Sequence, residues 1–399
     1  MTERSRPLLC LLVDAFRHDY LREGVTPFMG KLAAEGSARA LPTILGYSDA
    51  IRATIFTGRY PDQIGYWMEY CFRPERSPFR PLDRLSVFDR FPVDLGQRAA
   101  KFALSATLMR RLARSRGYPS LNLRHIPFGA LRFFDYTLTL PMTAPGALGA
   151  PTIFDRLSAA GKTWSYLDAS TMPRQRLINS VRELPKETAL VFVYLHQIDM
   201  ASHLFGLGSV RFRRSLRTVD ALAAELYLEM RSRLGEPSVL VFSDHGMTPI
   251  ERTVAIPQLR RHRAFGKGFV FALDATMVRL WYLRDEPALR DELRSLVAAK
   301  LPGRFLSRRD RVALHVDFDH NLYGDDIFLT EPGTVIFPNF HSYVRPKAMH
   351  AYDPAHTDQD GIFIAPDDVL PRDEAPTMVD LAPLILRLAG AARERERVR

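Results

Sequence analysis

Cysteine is almost missing from this chain: Cys10 and Cys71 are the only two in 399 residues. A disulfide framework is therefore excluded, neither cysteine has a Cys or His at zinc-finger spacing, and the scarcity fits a reducing compartment. Long apolar runs are missing too. A spanning helix needs roughly 18 apolar residues, and no stretch comes close. Leu8 to Val13, behind a short basic lead, is too brief for a signal sequence and runs straight into Asp14. The expected location is cytoplasmic. Internal repeats and low-complexity tracts are also absent, which leaves an ordinary globular composition.

What is present is bulk and positive charge. With 399 residues, 46% of them hydrophobic, the chain can bury a large core, as one domain with an insertion or as two domains. Lys and Arg outnumber Asp and Glu by 55 to 45, a net charge of +10. Such a balance favours anionic partners without choosing among nucleic acid, lipid and phosphorylated metabolites.

Leu8 to Val13 has the continuous apolar character of a buried parallel strand. Thr26 to Glu35 reads as a helix and Ala38 to Leu45 as a second strand. Ala50 to Phe56 is helical up to the Thr57-Gly58 stop, which puts Ser48 at a helix N-terminus. Unpaired amides and the positive end of the helix dipole favour a phosphate or sulfate there. Ser48 is accordingly either a cap or a nucleophile.

The alternation resumes with a helix over Thr152 to Ala160 and strands over Trp164 to Leu167 and Ala189 to Leu195. A long helix follows over Val210 to Leu234, then a strand over Ser238 to Phe242. Beyond it come a helix at Pro287 to Lys300, strands at Phe328 to Phe337 and Gly361 to Ala365, and a closing helix at Thr377 to Leu388. This order predicts an α/β/α sandwich around a mainly parallel sheet. Between Trp67 and Ala150 aromatics and arginines crowd together with prolines, which reads as an inserted cap in a body made of residues 1–66 and 151–399. Within the cap, Arg98 to Arg116 has the pattern of a basic amphipathic helix, packed on the body or lying on an anionic membrane.

Open α/β sheets bind ligands beyond the carboxyl ends of their strands. The residues there are Asp14, Ser48, the pair Asp199 and His203, and the pair Asp244 and His245. Asp199 and His203, four apart, share one helix face. Mixed carboxylates and imidazoles suit zinc, or manganese or iron, whereas calcium and magnesium favour oxygen alone. A later histidine would complete a second centre. His356, in a turn before the Gly361 strand, is preferred; His350 is the runner-up, and His341 and His320 are expected at the surface or behind the ligands.

Taken together, the Thr57-Gly-Arg-Tyr-Pro61 turn, Ser48 ten residues before Gly58, the Asp199-x-x-x-His203 spacing and Ser243-Asp-His-Gly-Met247 resemble the alkaline phosphatase superfamily. Its type I phosphodiesterase/nucleotide pyrophosphatase branch is the nearest. The resemblance covers Leu8 to Tyr66, Leu190 to Met247 and Ala348 to Leu388. It implies two divalent ions, zinc first, one held by Asp199, His203 and His356 and the other by Asp14, Asp244, His245 and the nucleophile Ser48. It also implies phosphodiester hydrolysis through a covalent phospho-serine, on a small anionic ester with or without an apolar or lipid part. Contact of the cap with a membrane surface stays open, and no nucleic-acid partner is expected. Alternatives on the same scaffold are a phosphomonoesterase, a sulfatase-like or phosphonate-cleaving enzyme, and a phosphoryl transferase using an alcohol or lipid acceptor. Arg52 and Arg59 are candidates for binding the substrate anion. Glu69 falls where the nucleotide branch has an asparagine that contacts phosphate, and an ionised carboxylate cannot donate a hydrogen bond.

Overall fold

The computed structural model describes residues 6–90, 126–342, 344–369 and 376–391. Its centre is a six-stranded sheet made of β1 (Leu8–Val13), β2 (Ser37–Leu41), β3 (Thr163–Asp168), β4 (Thr188–Leu195), β5 (Ser238–Phe242) and β6 (Gly361–Ala365), in the order β2-β6-β5-β1-β4-β3. Strand β1 lies between β4 and β5 and pairs with both in parallel, and only β6 runs against its neighbours. All six residues of β1 are buried, because a strand covered on both faces gives its side chains alternately to two apolar layers.

Leu9, Leu11 and Val13 join a layer with α1 (Pro27–Glu35), α4 (Arg174–Arg182), α5 (Gln197–Phe205) and α6 (Val210–Leu234). Leu8, Cys10 and Leu12 face the other way, onto α2 (Ser48–Thr57), α3 (Ile153–Ala159) and α7 (Leu381–Leu388). The predicted sandwich is present. Helix ends follow local chemistry: Thr152 and Asp155 form a reciprocal capping box on α3, and Ser209 caps α6. Helix α6 buries Phe212, Leu216, Val219, Ala223, Leu226 and Met230 along one stripe.

Two expected strands are shorter. The second stops at Leu41 because Pro42 has no amide hydrogen to continue the ladder. The stretch from Phe328 to Phe337 is broken into Asp326–Thr330 and Thr334–Ile336 by Glu331-Pro332-Gly333, where Gly333 takes a φ of 81°.

A second core lies beside the sandwich. An antiparallel sheet of Phe269–Leu273, Met277–Tyr282, Asp326–Thr330 and Gly303–Phe305 packs against an antiparallel pair of strands, Tyr70–Phe72 and Phe134–Tyr136. Phe79, Phe128 and Phe134 of the segment expected as a cap share this core with Phe269, Phe271 and Trp281. Inside it, Asp274 and Arg279 form a fully buried ion pair at 2.7 Å. The amphipathic stretch Arg98 to Arg116 lies outside the described residues. No helix among the described residues is long and apolar enough to cross a membrane.

Candidate active site

The carboxyl ends of β1, β4 and β5 and the first turn of α2 meet at one edge of the sheet. Asp14 follows β1, Asp199 stands in the first turn of α5 just beyond β4, and Asp244 and His245 follow β5. Asp14, Asp244 and His245 are buried; Ser48, Asp199 and His203 are half-buried.

Ser48 is the first residue of α2, with Tyr47 in the capping position, and it makes no capping bond. Its hydroxyl lies instead 3.0 Å from Nε2 of His245. The opposite ring nitrogen, Nδ1, is 2.8 Å from the Gly246 carbonyl oxygen, which requires a hydrogen on Nδ1 and turns Nε2 toward the site. Around Nε2 gather Asp14 Oδ1 at 3.2 Å and Asp244 Oδ2 at 3.6 Å. Gly246 is needed for this approach: a Cβ there would sit 2.2 Å from the Asp358 carbonyl oxygen.

The electrostatics are those of crowded like charges. Burial and the Asp14 charge push Asp244 up to about 7. Burial works to deprotonate His245, yet Asp244 and Asp14 override it and push the imidazole up to about 10. Asp14 is buried, which raises it, but His245 and the Tyr194 hydroxyl bonded to its Oδ2 hold it below the usual carboxylate range.

A second group adjoins the first. Asp199 Oδ1 is 3.1 Å from His203 Nε2 and 3.7 Å from His350 Nε2. His203 Nδ1 meets the Ala348 carbonyl oxygen at 2.7 Å, so its Nε2 is free to serve as a ligand. His350 lies flat on His245, with ring centroids 3.7 Å apart and planes within 8°. Burial and the neighbouring His245 and His203 hold His350 well below its ordinary range, as a neutral imidazole. Asp244 Oδ2 and His350 Nδ1 are buried and make no hydrogen bond among the described residues. The donor atoms of Asp199, His203 and His350 lie within 4.8 Å of one another, as do those of Asp14, Asp199 and His245. These mixed oxygen and nitrogen donors fit zinc, manganese or iron, and Asp199 belongs to both groups.

His356, expected as a ligand, is exposed at the start of a short 3-10 turn over Thr357–Gln359, and the runner-up His350 stands in the inward position beside Asp199 and His203. The cause is the short ladder of Ala348–Met349 against Thr248–Pro249, which carries His350 past His245. Both strand ends that supply inward residues are twisted: Ala15, after Asp14, has a φ of 59°, and Ala351, after His350, one of 65°. Left-handed backbone at a non-glycine residue is a signal of functional constraint that the sequence alone does not carry.

Arg52, one turn beyond Ser48, is paired with Asp49 and lies over the Tyr194 ring. Arg59 is not brought to the site: it is exposed past the far end of α2, about 15 Å away for ten helical residues. Burial and Asp49 push Glu69 up to about 7, against the pull of His341. His320 is exposed, as expected. His341 is only partly exposed. It lies behind the site, stacked on Tyr47 and 3.0 Å from Asp274.

Comparison with known proteins agrees with this geometry. The profile of the family described as type I phosphodiesterase / nucleotide pyrophosphatase matches residues 8–353. No curated protein matches the chain in sequence. Among solved structures, murine ectonucleotide pyrophosphatase/phosphodiesterase 5, as an inactive variant in complex with AMP, superposes with a TM-score of 0.66 at 17% identity, covering 96% of this chain and 95% of that one. The human protein of the same name gives 0.65 at 17% identity, over 99% and 97%.

Proposed function

Because the chain belongs to the type I phosphodiesterase/nucleotide pyrophosphatase family and so is a phosphoric ester hydrolase, we propose that it cleaves phosphodiesters through a covalent phospho-serine on Ser48. The observation that carries this reading is the convergence of Asp14, Asp199, His245, His203 and His350 beside a serine hydroxyl 3.0 Å from His245 Nε2. Asp199, His203 and His350 would hold one divalent ion, and Asp14, Asp244, His245 and Ser48 the other, zinc being the best match. Bound there, the ions lower the pKa of the serine hydroxyl and neutralise charge on the phosphoryl oxygens.

The residues divide the remaining work. Ser48 gives its proton to solvent, and its Oγ bonds to phosphorus as the bond to the leaving alkoxide breaks in line; the alkoxide takes a proton from solvent. Water then attacks the phospho-serine, releasing the monoester and restoring the hydroxyl. The amides of the first turn of α2 solvate the oxygens during both steps. Arg52 orients the ester from one turn further along, and Glu69, when protonated, donates where the family asparagine would. Residues 67–150 act as the part that sets specificity within the body of 1–66 and 151–399.

The test is metal analysis together with hydrolysis of aryl phosphate mono- and diesters by the native chain and Ser48→Ala. The expected result is about two ions per chain, faster turnover of the diester, and loss of turnover in the variant. Faster turnover of the monoester would overturn the diesterase reading, and full activity of Ser48→Ala would overturn the mechanism.

A further inference from the structure

Nine large apolar side chains are exposed among the described residues, and four of them share one corner of the fold. Met200, Leu204 and Phe205 stand on the last turns of α5, 38–49% exposed, and Val210 opens α6 at 73%. Met200 and Leu204 are one turn apart on a helix whose other face buries Ile198 and Ala201. Scattered singly, such residues need no explanation, but a contiguous group does. The rim of this group is basic. Arg211 lies over the Phe205 ring, 4.8 Å from its centroid, and Arg214 follows one turn later. Lys347 stands on the other side, where its Cβ would lie 3.4 Å from a Cβ on Gly206 and its amide bonds the His203 carbonyl oxygen at 2.8 Å. Arg211, Arg214 and Lys347 are exposed and make no ion pair among the described residues.

We propose that this corner docks on an anionic lipid bilayer, with Leu204, Phe205 and Val210 entering the headgroup layer and the three cations resting against its phosphates. It lies on the body of the protein, outside residues 67–150. Apolar side chains gain by leaving water at the acyl boundary, cations gain from the negative surface potential, and here the two stand side by side. A second copy of the chain fits poorly: across a two-fold axis Arg211, Arg214 and Lys347 would meet their own counterparts, in a protein of net charge +10. A folded acidic protein would pair the cations but would need a hollow for the apolar residues. The corner projects, being a helix end, the Gly206-Leu207-Gly208 turn and a helix start, and a fluid bilayer accepts a projecting group without a preformed hollow.

Flotation of the full chain with vesicles of phosphatidylcholine, alone or mixed with phosphatidylserine, tests this without any turnover and so stands apart from the hydrolase reading. The mixed vesicles should bind at least about tenfold more tightly than the neutral ones. Two double variants, Leu204→Ser with Phe205→Ser and Arg211→Glu with Arg214→Glu, should each weaken that binding by at least about tenfold. Arg261→Glu with Arg263→Glu makes the same charge change at exposed residues beside the second core and should cost less than about threefold. Phe205→Trp adds a signal that unfolding cannot imitate: its emission should move to shorter wavelength with mixed vesicles and be quenched by brominated lipid. Failure to bind the mixed vesicles would overturn the proposal. So would binding that Leu204→Ser with Phe205→Ser leaves intact, or that the Arg261 and Arg263 control weakens equally, since the general field would then suffice. A dimer in sedimentation that Leu204→Ser with Phe205→Ser dissolves would give the corner to a second copy, and binding of poly-glutamate through Arg211 and Arg214 without vesicle binding would give it to an acidic protein.

Discussion

Replacing His350 by Ala, beside the control His356→Ala, separates the ligand set that the sequence prefers from its runner-up. His350 is 3% exposed, stacks on His245 and turns its Nε2 to within 3.7 Å of Asp199, whereas His356 faces solvent. Binding of zinc by four protein ligands is worth roughly 10–16 kcal/mol, or about 2.5–4 kcal/mol for each ligand. Losing one should weaken the affected ion by roughly 10²- to 10³-fold, at 1.4 kcal/mol per factor of ten. Equilibrium dialysis against buffered zinc should then find one weakly held ion in His350→Ala and both ions tightly held in His356→Ala. Diester hydrolysis should fall with occupancy and recover in part as zinc is added. If His356→Ala lost the ion while His350→Ala kept both, the inward placement of His350 would be refuted.

Asp199→Ala, which removes a donor from the position shared with His203 and His350, should empty that position as His350→Ala does and leave the other filled; metal content per chain reads this out. Arg52→Ala should raise KM for aryl diesters by about 10- to 100-fold through loss of a charge-assisted contact, while the exposed Arg59→Ala should stay within about twofold. Asp274→Asn should lower stability by about 3–5 kcal/mol because it strands the buried Arg279, seen as an earlier denaturant midpoint. The carboxyl of Asp274 is held at about 2 against an ordinary 3.8 by Arg279 and His341 despite its burial. Its contribution is therefore present above about pH 4 and lost as pH falls through about 2, so the gap between Asp274→Asn and the native chain should close over that acid range.

The sandwich was readable because three of its parallel strands, β1, β4 and β5, are largely apolar runs with residues able to bind a ligand just beyond them, as Asp14 follows Leu8 to Val13. Chemistry and fold thus share one signal. His350 was not readable, since its position depends on a two-residue ladder, Ala348–Met349 against Thr248–Pro249, too short to leave a pattern. Arg59 misled for a related reason: ten residues of sequence look close, but wound into α2 they span the whole layer. The joint core of the 67–150 segment with Phe269 and Trp281 joins residues well over a hundred positions apart, beyond the reach of any local periodicity.

Helix α2 concentrates several duties in ten residues. Ser48 opens it, Asp49, Arg52 and Phe56 line a cavity beside it, Ile51 and Ile55 lie in the core, and Gly58 closes it against Ala382 and the Val379 carbonyl. Substitutions along it should seldom be tolerated, since a change that suits a new ester disturbs packing or the nucleophile. On the facing wall Leu138 and Met142 also pack against buried neighbours, but Leu140, half exposed, carries no such double load. Divergence among relatives, and any directed search for altered selectivity, should accumulate there and leave the helix unchanged.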